Sequence, residues 1–103
     1  MGTQLTYLNK PNLEKHLDEG ENEAYEFAAC SMQGWRTNME DAHLAHLDFD
    51  DDMHMFGVFD GHGGKEVAIY CAEHLVDIFM SQKTFKNEDY KEALTNSFIE
   101  IDK

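Results

Sequence analysis

The chain has 103 residues, of which 21 are Asp or Glu and 8 are Lys or Arg, so its formal net charge is −13. A hydrophobic content of 42% excludes a wholly disordered tail, and no apolar run of about 20 residues is present to span a bilayer. The strong acidity excludes nucleic acid as a partner, because phosphate binding needs clustered basic residues. The length allows one domain at most.

Residues 1–24 are polar, contain the single proline and show no sustained apolar period, so we predict an extended N-terminal arm. The first six residues fit the Met-Gly-x-x-x-Thr pattern of N-myristoylation, which makes Gly2 a lipidation candidate. One acyl chain gives at most weak, reversible membrane attachment. Two cysteines and the lack of a basic-then-apolar leader predict a cytoplasmic protein, peripheral at a membrane if Gly2 is acylated.

Short apolar runs from Tyr25 onward predict an α+β protein with the local order β-β-β-α-α. The predicted elements are strands at Glu26–Met32, Ala42–Phe49 and Met53–Asp60, and helices at Lys65–Ser81 and Asp89–Lys103. The Asp50–Asp52 run predicts a turn that pairs the second and third strands as a hairpin. Asn87 is the predicted N-cap of the second helix.

The predicted helices leave part of the sheet bare. The first helix has an apolar stripe of Val67, Cys71, Leu75 and Phe79, which Ala68, Ala72 and Ile78 widen. The third strand is apolar on both parities, so it needs cover on both faces, and two helices can cover only one. We therefore expect Phe56 and Val58 to lie on an uncovered face and the sequence to be the N-terminal part of a larger domain.

Two clusters of residues have the composition of a chemical site: Gly34–His43 and Phe56–Gly64. Pairing of the second and third strands brings Glu40, Asp41 and Asp60 to one edge of the sheet. Converging carboxylates repel one another unless a positive charge intervenes. Hard oxygen ligands at this density favour Mg²⁺ or Mn²⁺.

The remaining polar residues of the clusters suit a phosphate substrate. The guanidinium of Arg36 matches phosphate oxygens, and His62 directly follows the glycine after Asp60. Gly61 has no side chain to keep its backbone carbonyl away from a metal ion. Each residue taken alone also has an ordinary interpretation: a solvated acidic pair, a turn-forming aspartate, a surface ion pair and a loop histidine.

Together, the two clusters resemble the signature segments of the metal-dependent serine/threonine protein phosphatases of type 2C. The resemblance covers residues 25–103 and implies the N-terminal part of an α/β/β/α sandwich, in which helices cover two antiparallel sheets. It further implies that the remainder of the phosphatase domain is needed. The cofactor implied is a pair of Mg²⁺ or Mn²⁺ ions.

The resemblance also implies a role for each residue. Asp60 would bridge the two ions, and Glu40 and the Gly61 carbonyl would ligate one of them. Asp41 would ligate directly or through a water. Arg36 would bind the substrate phosphate and His62 would protonate the leaving oxygen.

The implied activity is hydrolysis of phosphoserine and phosphothreonine in phosphoprotein substrates by metal-bound water. The isolated fragment is expected to be inactive. The alternative is a non-catalytic, phosphatase-like binding or structural module, because the same first-half residues would be present in either case.

Overall fold

The structure, a computed structural model, describes residues 7–102. Their elements are β1 (Tyr7–Glu21), β2 (Glu26–Arg36), β3 (Asp41–Asp50), β4 (Met53–Asp60), α1 (Glu66–Ser81), α2 (Lys83–Lys86) and α3 (Tyr90–Ile101). Two antiparallel strand pairs followed by helices confirm the α+β class. The chain divides into a first unit that ends at Glu40 and a second that begins at Asp41. None of the described helices is long and apolar enough to cross a membrane.

In the first unit, β1 pairs antiparallel with β2, and the predicted order lacked this strand. Residues 7–21 are extended, as expected of an arm, but they form a ladder with β2 rather than standing alone. A turn at Asn22 joins the strands: its side-chain oxygen accepts hydrogen bonds from the backbone N–H groups of Ala24 (2.9 Å) and Tyr25 (2.7 Å). This is the local bonding for which asparagine is favoured in turns.

β2 continues past its predicted end at Met32 and reaches Arg36. Gly34 adopts a φ of +65°, which glycine tolerates without strain, and the strand passes through it instead of stopping. The ladder shifts register on either side of Asn12, the residue after Pro11. Proline has no N–H to donate, so an irregular stretch of ladder is a position where it is tolerated.

In the second unit, β3 and β4 form the predicted hairpin, and β4 has the predicted limits Met53–Asp60. Asp51 and Asp52 make the turn, and Asp51 has a φ of +41°. In the described residues, β2 pairs with β1, and β3 pairs with β4, so the strands form two separate antiparallel pairs.

α1 packs on both strands of this hairpin and on α3. Its buried residues are Ala68, Leu75, Val76 and Phe79. Within the predicted stripe, Val67 is wrong because it is 74% exposed, whereas Ala68 is buried as predicted. A strict i+4 spacing drifts by roughly 40° per step around a helix, so positions 67 and 79 differ by roughly 120°. Ala68, half-buried Ala72, Leu75 and Phe79 follow spacings of four, three and four residues, which keep them on one face of the helix.

α3 begins two residues later than the predicted cap requires. Asp89, not Asn87, is the N-cap, and its carboxylate accepts the backbone N–H of Glu92 at 3.3 Å. Asn87 instead caps the C-terminus of the unpredicted short helix α2. At the other end of α3, Glu100 accepts a 2.7 Å hydrogen bond from the Gln82 amide. This bond ties the end of α1 to the end of α3.

The uncovered strand face is present as expected. Phe56 is 53% exposed and Val58 is 78% exposed, although both belong to β4. Their neighbours of the other parity, Met55, Gly57 and Phe59, are half-buried. This alternation shows that the helices cover one face of the β3–β4 hairpin and leave the other bare.

Candidate functional site

The open end of the β3–β4 hairpin places two carboxylates opposite one another. Asp41 is the first residue of β3, Asp60 is the last of β4, and the two are direct cross-strand partners. Residues that face each other in an antiparallel ladder share one face of the ribbon, with Cβ atoms about 4.5–5.5 Å apart. Both side chains are exposed. The hairpin thus confirms the expected convergence of Asp41 and Asp60.

Like charges in direct cross-strand register destabilise a sheet. The charges of Asp41 and Asp60 therefore do not by themselves stabilise the pairing of β3 with β4. A divalent cation bound between the two carboxylates would replace repulsion with attraction. Asp41 and Asp60 therefore have the donor chemistry and the register that a divalent cation would require.

The loop that follows β4 presents the other residues predicted for this site. Gly61 is half-buried and His62 is exposed, and both lie within two residues of Asp60. Gly63 and Gly64 have φ values of +71° and +127°, a region that residues with a Cβ rarely adopt. The sequence predicts that residues 61–64 interrupt the strand before the helix, and the described chain leaves β4 at Asp60 as expected. The signal for this interruption is the Gly-Gly dipeptide, which turns the chain from β4 into α1.

Arg36 and Glu40 belong to the first unit. Arg36 is the last residue of β2 and is exposed, and its backbone carbonyl accepts a 2.7 Å hydrogen bond from the Gln33 amide. Glu40 is half-buried and directly precedes Asp41 in the chain. Gly2, the lipidation candidate, lies outside the described residues.

The donor set was tested against the implied metal ions. Asp41 and Asp60 supply the hard, anionic oxygens that Mg²⁺ and Mn²⁺ prefer. Across residues 7–102, however, no group of three or more His, Cys, Asp or Glu side chains is arranged to hold a metal ion. The two carboxylates thus fit the implied ions in donor chemistry, but the described residues alone do not form a metal site.

The sequence was compared with known proteins. A family model described as protein phosphatase 2C matches residues 25–103. The chain is 45% identical over 97 residues to probable protein phosphatase 2C 5 of Paramecium tetraurelia, covering 94% of this chain and 33% of the relative. It is 47% identical over 97 residues to probable protein phosphatase 2C 21 of Arabidopsis thaliana, covering 94% of this chain and 27% of the relative.

A third relative, protein phosphatase ppm-1.G of Caenorhabditis elegans, is 44% identical over 96 residues, which are 93% of this chain and 20% of that protein. The chain therefore spans a third or less of the length of these relatives. The matched region includes the Asp41–Asp60 hairpin and the glycine loop after it. On this evidence, the chain belongs to the protein phosphatase 2C family.

Proposed function

We propose that the protein containing this chain hydrolyses phosphoserine and phosphothreonine in phosphoproteins, with Mg²⁺ or Mn²⁺ as cofactor. The observation that carries the proposal is the opposed pair Asp41 and Asp60, in a chain that belongs to the protein phosphatase 2C family. The relatives named above are described as protein phosphatases, which supports the same reaction class.

The residues proposed to hold the ions are Asp60, Asp41, Glu40 and the carbonyl of Gly61. Asp60 and Asp41 contribute anionic oxygens from adjacent strands, and Gly61 contributes a carbonyl close to Asp60 in the chain. When bound, such ions provide a water molecule of lowered pKa for attack on phosphorus and neutralise phosphate charge. The remaining ligands are proposed to come from other parts of the phosphatase domain.

Two residues are proposed to act on the substrate. Arg36 would bind the phosphate, because a planar guanidinium donates two parallel hydrogen bonds to phosphate oxygens. His62 would donate a proton to the departing serine or threonine oxygen. An exposed position in the loop after β4 makes the His62 ring accessible to a bound substrate. We also propose a cytoplasmic location, with weak membrane attachment if Gly2 is myristoylated.

The proposal is tested in the full-length protein with the isosteric variant Asp60→Asn. Removing one anionic oxygen donor should abolish Mn²⁺-dependent hydrolysis of a phosphopeptide, because the amide keeps the side-chain shape but not the charge. Asp52→Asn is the matched control, since Asp52 is an exposed aspartate at the opposite end of the same hairpin. Equal activity of Asp60→Asn and Asp52→Asn would refute the metal role. An inactive wild-type protein that still binds phosphoproteins would favour the non-catalytic module.

A further inference from the structure

The β3–β4 hairpin contains a bulge near its turn. Its ladder pairs His46 with Met55 and then Asp50 with Met53, so three residues of β3 stand opposite a single residue of β4. The single residue is His54. The middle residue of the three is Asp48, whose φ of +53° is in the left-handed region. Aspartate tolerates this conformation better than most residues, but the backbone there still needs support.

That support comes from His54. The backbone N–H of Asp48 donates a hydrogen bond to His54 Nδ1 at 3.0 Å. A ring nitrogen can accept a hydrogen bond only while it carries no proton, so this bond requires an unprotonated Nδ1. The same nitrogen lies 3.6 Å from Oδ1 of the Asp48 carboxylate. Asp48 thus presents both a donor and an acceptor to one ring atom.

Apolar and titratable groups both lie near the bulge that His54 contacts, including His46, whose ring meets that of Phe49 at 6.0 Å. The ring side chain is only 13% exposed and lies along an open, mostly apolar groove of about 470 Å³. The groove residues from α1 are Leu75 and Phe79, and α3 contributes the phenol of Tyr90 with two apolar side chains. Asp48 from β3 is the charged group placed against the ring. The nearby turn adds the exposed carboxylates of Asp51 and Asp52.

We propose that His54 is a proton-sensitive clamp of the β3 bulge. In the neutral ring, Nδ1 holds the Asp48 N–H. A proton taken from solvent binds at Nδ1, converts this atom from acceptor to donor and redirects it to the Asp48 carboxylate. The backbone N–H then loses this hydrogen bond, and the left-handed conformation of Asp48 is stabilised less. No covalent bond is made or broken.

The clamp connects the bulge to the core. Phe49 follows Asp48 directly, and its ring meets the ring of Phe79 edge-to-face, with centroids 6.1 Å apart. Phe79 is a buried residue of α1, 4% exposed. The direction of Phe49 depends on the backbone conformation at Asp48. Protonation of His54 is therefore expected to loosen the contact between the hairpin and α1 as well as the bulge itself.

The test is a pH titration of the full-length protein followed by ¹⁵N NMR of histidine side chains and by backbone amide exchange. At neutral pH, His54 Nδ1 should give the signal of an unprotonated nitrogen. As the ring titrates, the protection of the Asp48 amide, corrected for intrinsic exchange, should fall by roughly 2- to 12-fold, the effect of losing one net hydrogen bond. His74 serves as an internal control, because it lies on α1, away from the β3 bulge, with its Nε2 4.0 Å from the Glu73 carboxylate.

A matched variant separates protonation from general acid effects. In His54→Asn, the side-chain oxygen occupies the place of Nδ1 and accepts the same hydrogen bond without titrating. Protection of the Asp48 amide should then be independent of pH over the range in which His54 titrates. The proposal is overturned by a protonated Nδ1 at neutral pH, by unchanged Asp48 protection through the His54 titration in the native protein, or by an unaltered pH dependence in His54→Asn.

Discussion

Replacing Asp60 by asparagine removes one of two like charges that face each other across the open end of the β3–β4 hairpin. A cross-strand pair of side chains changes the stability of a sheet by roughly 0.2–1 kcal/mol, and two like charges directly opposite one another lower it. Both carboxylates are exposed, so water and salt screen the repulsion. Without divalent ions, we expect full-length Asp60→Asn to be more stable than the wild type by no more than about 1 kcal/mol, or about 2–4 °C in melting temperature.

Divalent ions should reverse this order. An ion that binds only the folded state at 100 times its dissociation constant stabilises it by about 2.7 kcal/mol, more than the repulsion costs. Wild-type protein should therefore melt above Asp60→Asn in Mn²⁺ and below it in EDTA at low salt. The measurement is thermal unfolding of both proteins in the two buffers, with Asp52→Asn as the control that keeps the wild-type response to Mn²⁺. An Mn²⁺-induced rise in melting temperature that is equal in Asp60→Asn and the wild type would contradict the reasoning.

Three further outcomes are expected. Arg36→Ala should lower kcat/KM by roughly 10- to 150-fold, mainly by raising KM, because a charge-assisted hydrogen bond contributes roughly 1.5–3 kcal/mol. Arg36→Lys should recover only part of the lost kcat/KM, and an unchanged KM of Arg36→Ala in steady-state kinetics would count against the phosphate contact. Phe79→Ala should reduce the free energy of unfolding of the full-length protein by about 3–5 kcal/mol, because this 4% exposed ring contacts Phe49, Phe85 and Tyr90. Denaturant unfolding measures the loss; the control is Ile99→Ala at a 58% exposed position on α3, and equal losses in the two variants would contradict the prediction. Residues 1–103 produced alone should be inactive and should self-associate through the bare face of β4. Light scattering should show less association for Val58→Lys, and a monomeric and active wild-type fragment would disprove the expectation.

The second unit was predictable because its elements follow from local patterns. The Asp50–Asp52 run between two apolar segments specified a hairpin, and the hairpin set Asp41 against Asp60. The helical period specified α1 to within one residue at its start. Even the exposure of Phe56 and Val58 followed from the residue pattern. A strand that is apolar on both parities needs a packed layer on each face, and the two predicted helices can supply only one.

The first strand was not predictable in the same way. β1 consists mostly of exposed polar residues and contains Pro11, so it has neither alternation nor strand propensity. It is a strand because its backbone groups bond to those of β2, which is a pairing between two segments rather than a property of one. The bulge at Asp48 has a similar origin, since its conformation depends on a ring from the opposite strand.

The candidate site was predictable in its parts. Spacing along the hairpin places Asp41 and Asp60 together, because cross-strand register follows from the position of the turn. Arg36 and Glu40 precede the hairpin, so no local pattern fixes their positions relative to it. Their proposed roles rest on family membership.

All strand pairings of the β3–β4 hairpin lie within residues 41–60, so the hairpin is formed by residues close in sequence. This short range affects how early the hairpin folds. The entropy cost of closing a loop grows with its length, and hairpins form in about 1–10 μs. A chain synthesised at about 5–20 residues per second would therefore bring Asp41 and Asp60 into register soon after both have left the ribosome. An isolated hairpin is marginally stable, so docking of Phe79 from the adjacent α1 would fix it. The two carboxylates would thus meet at an early stage of folding.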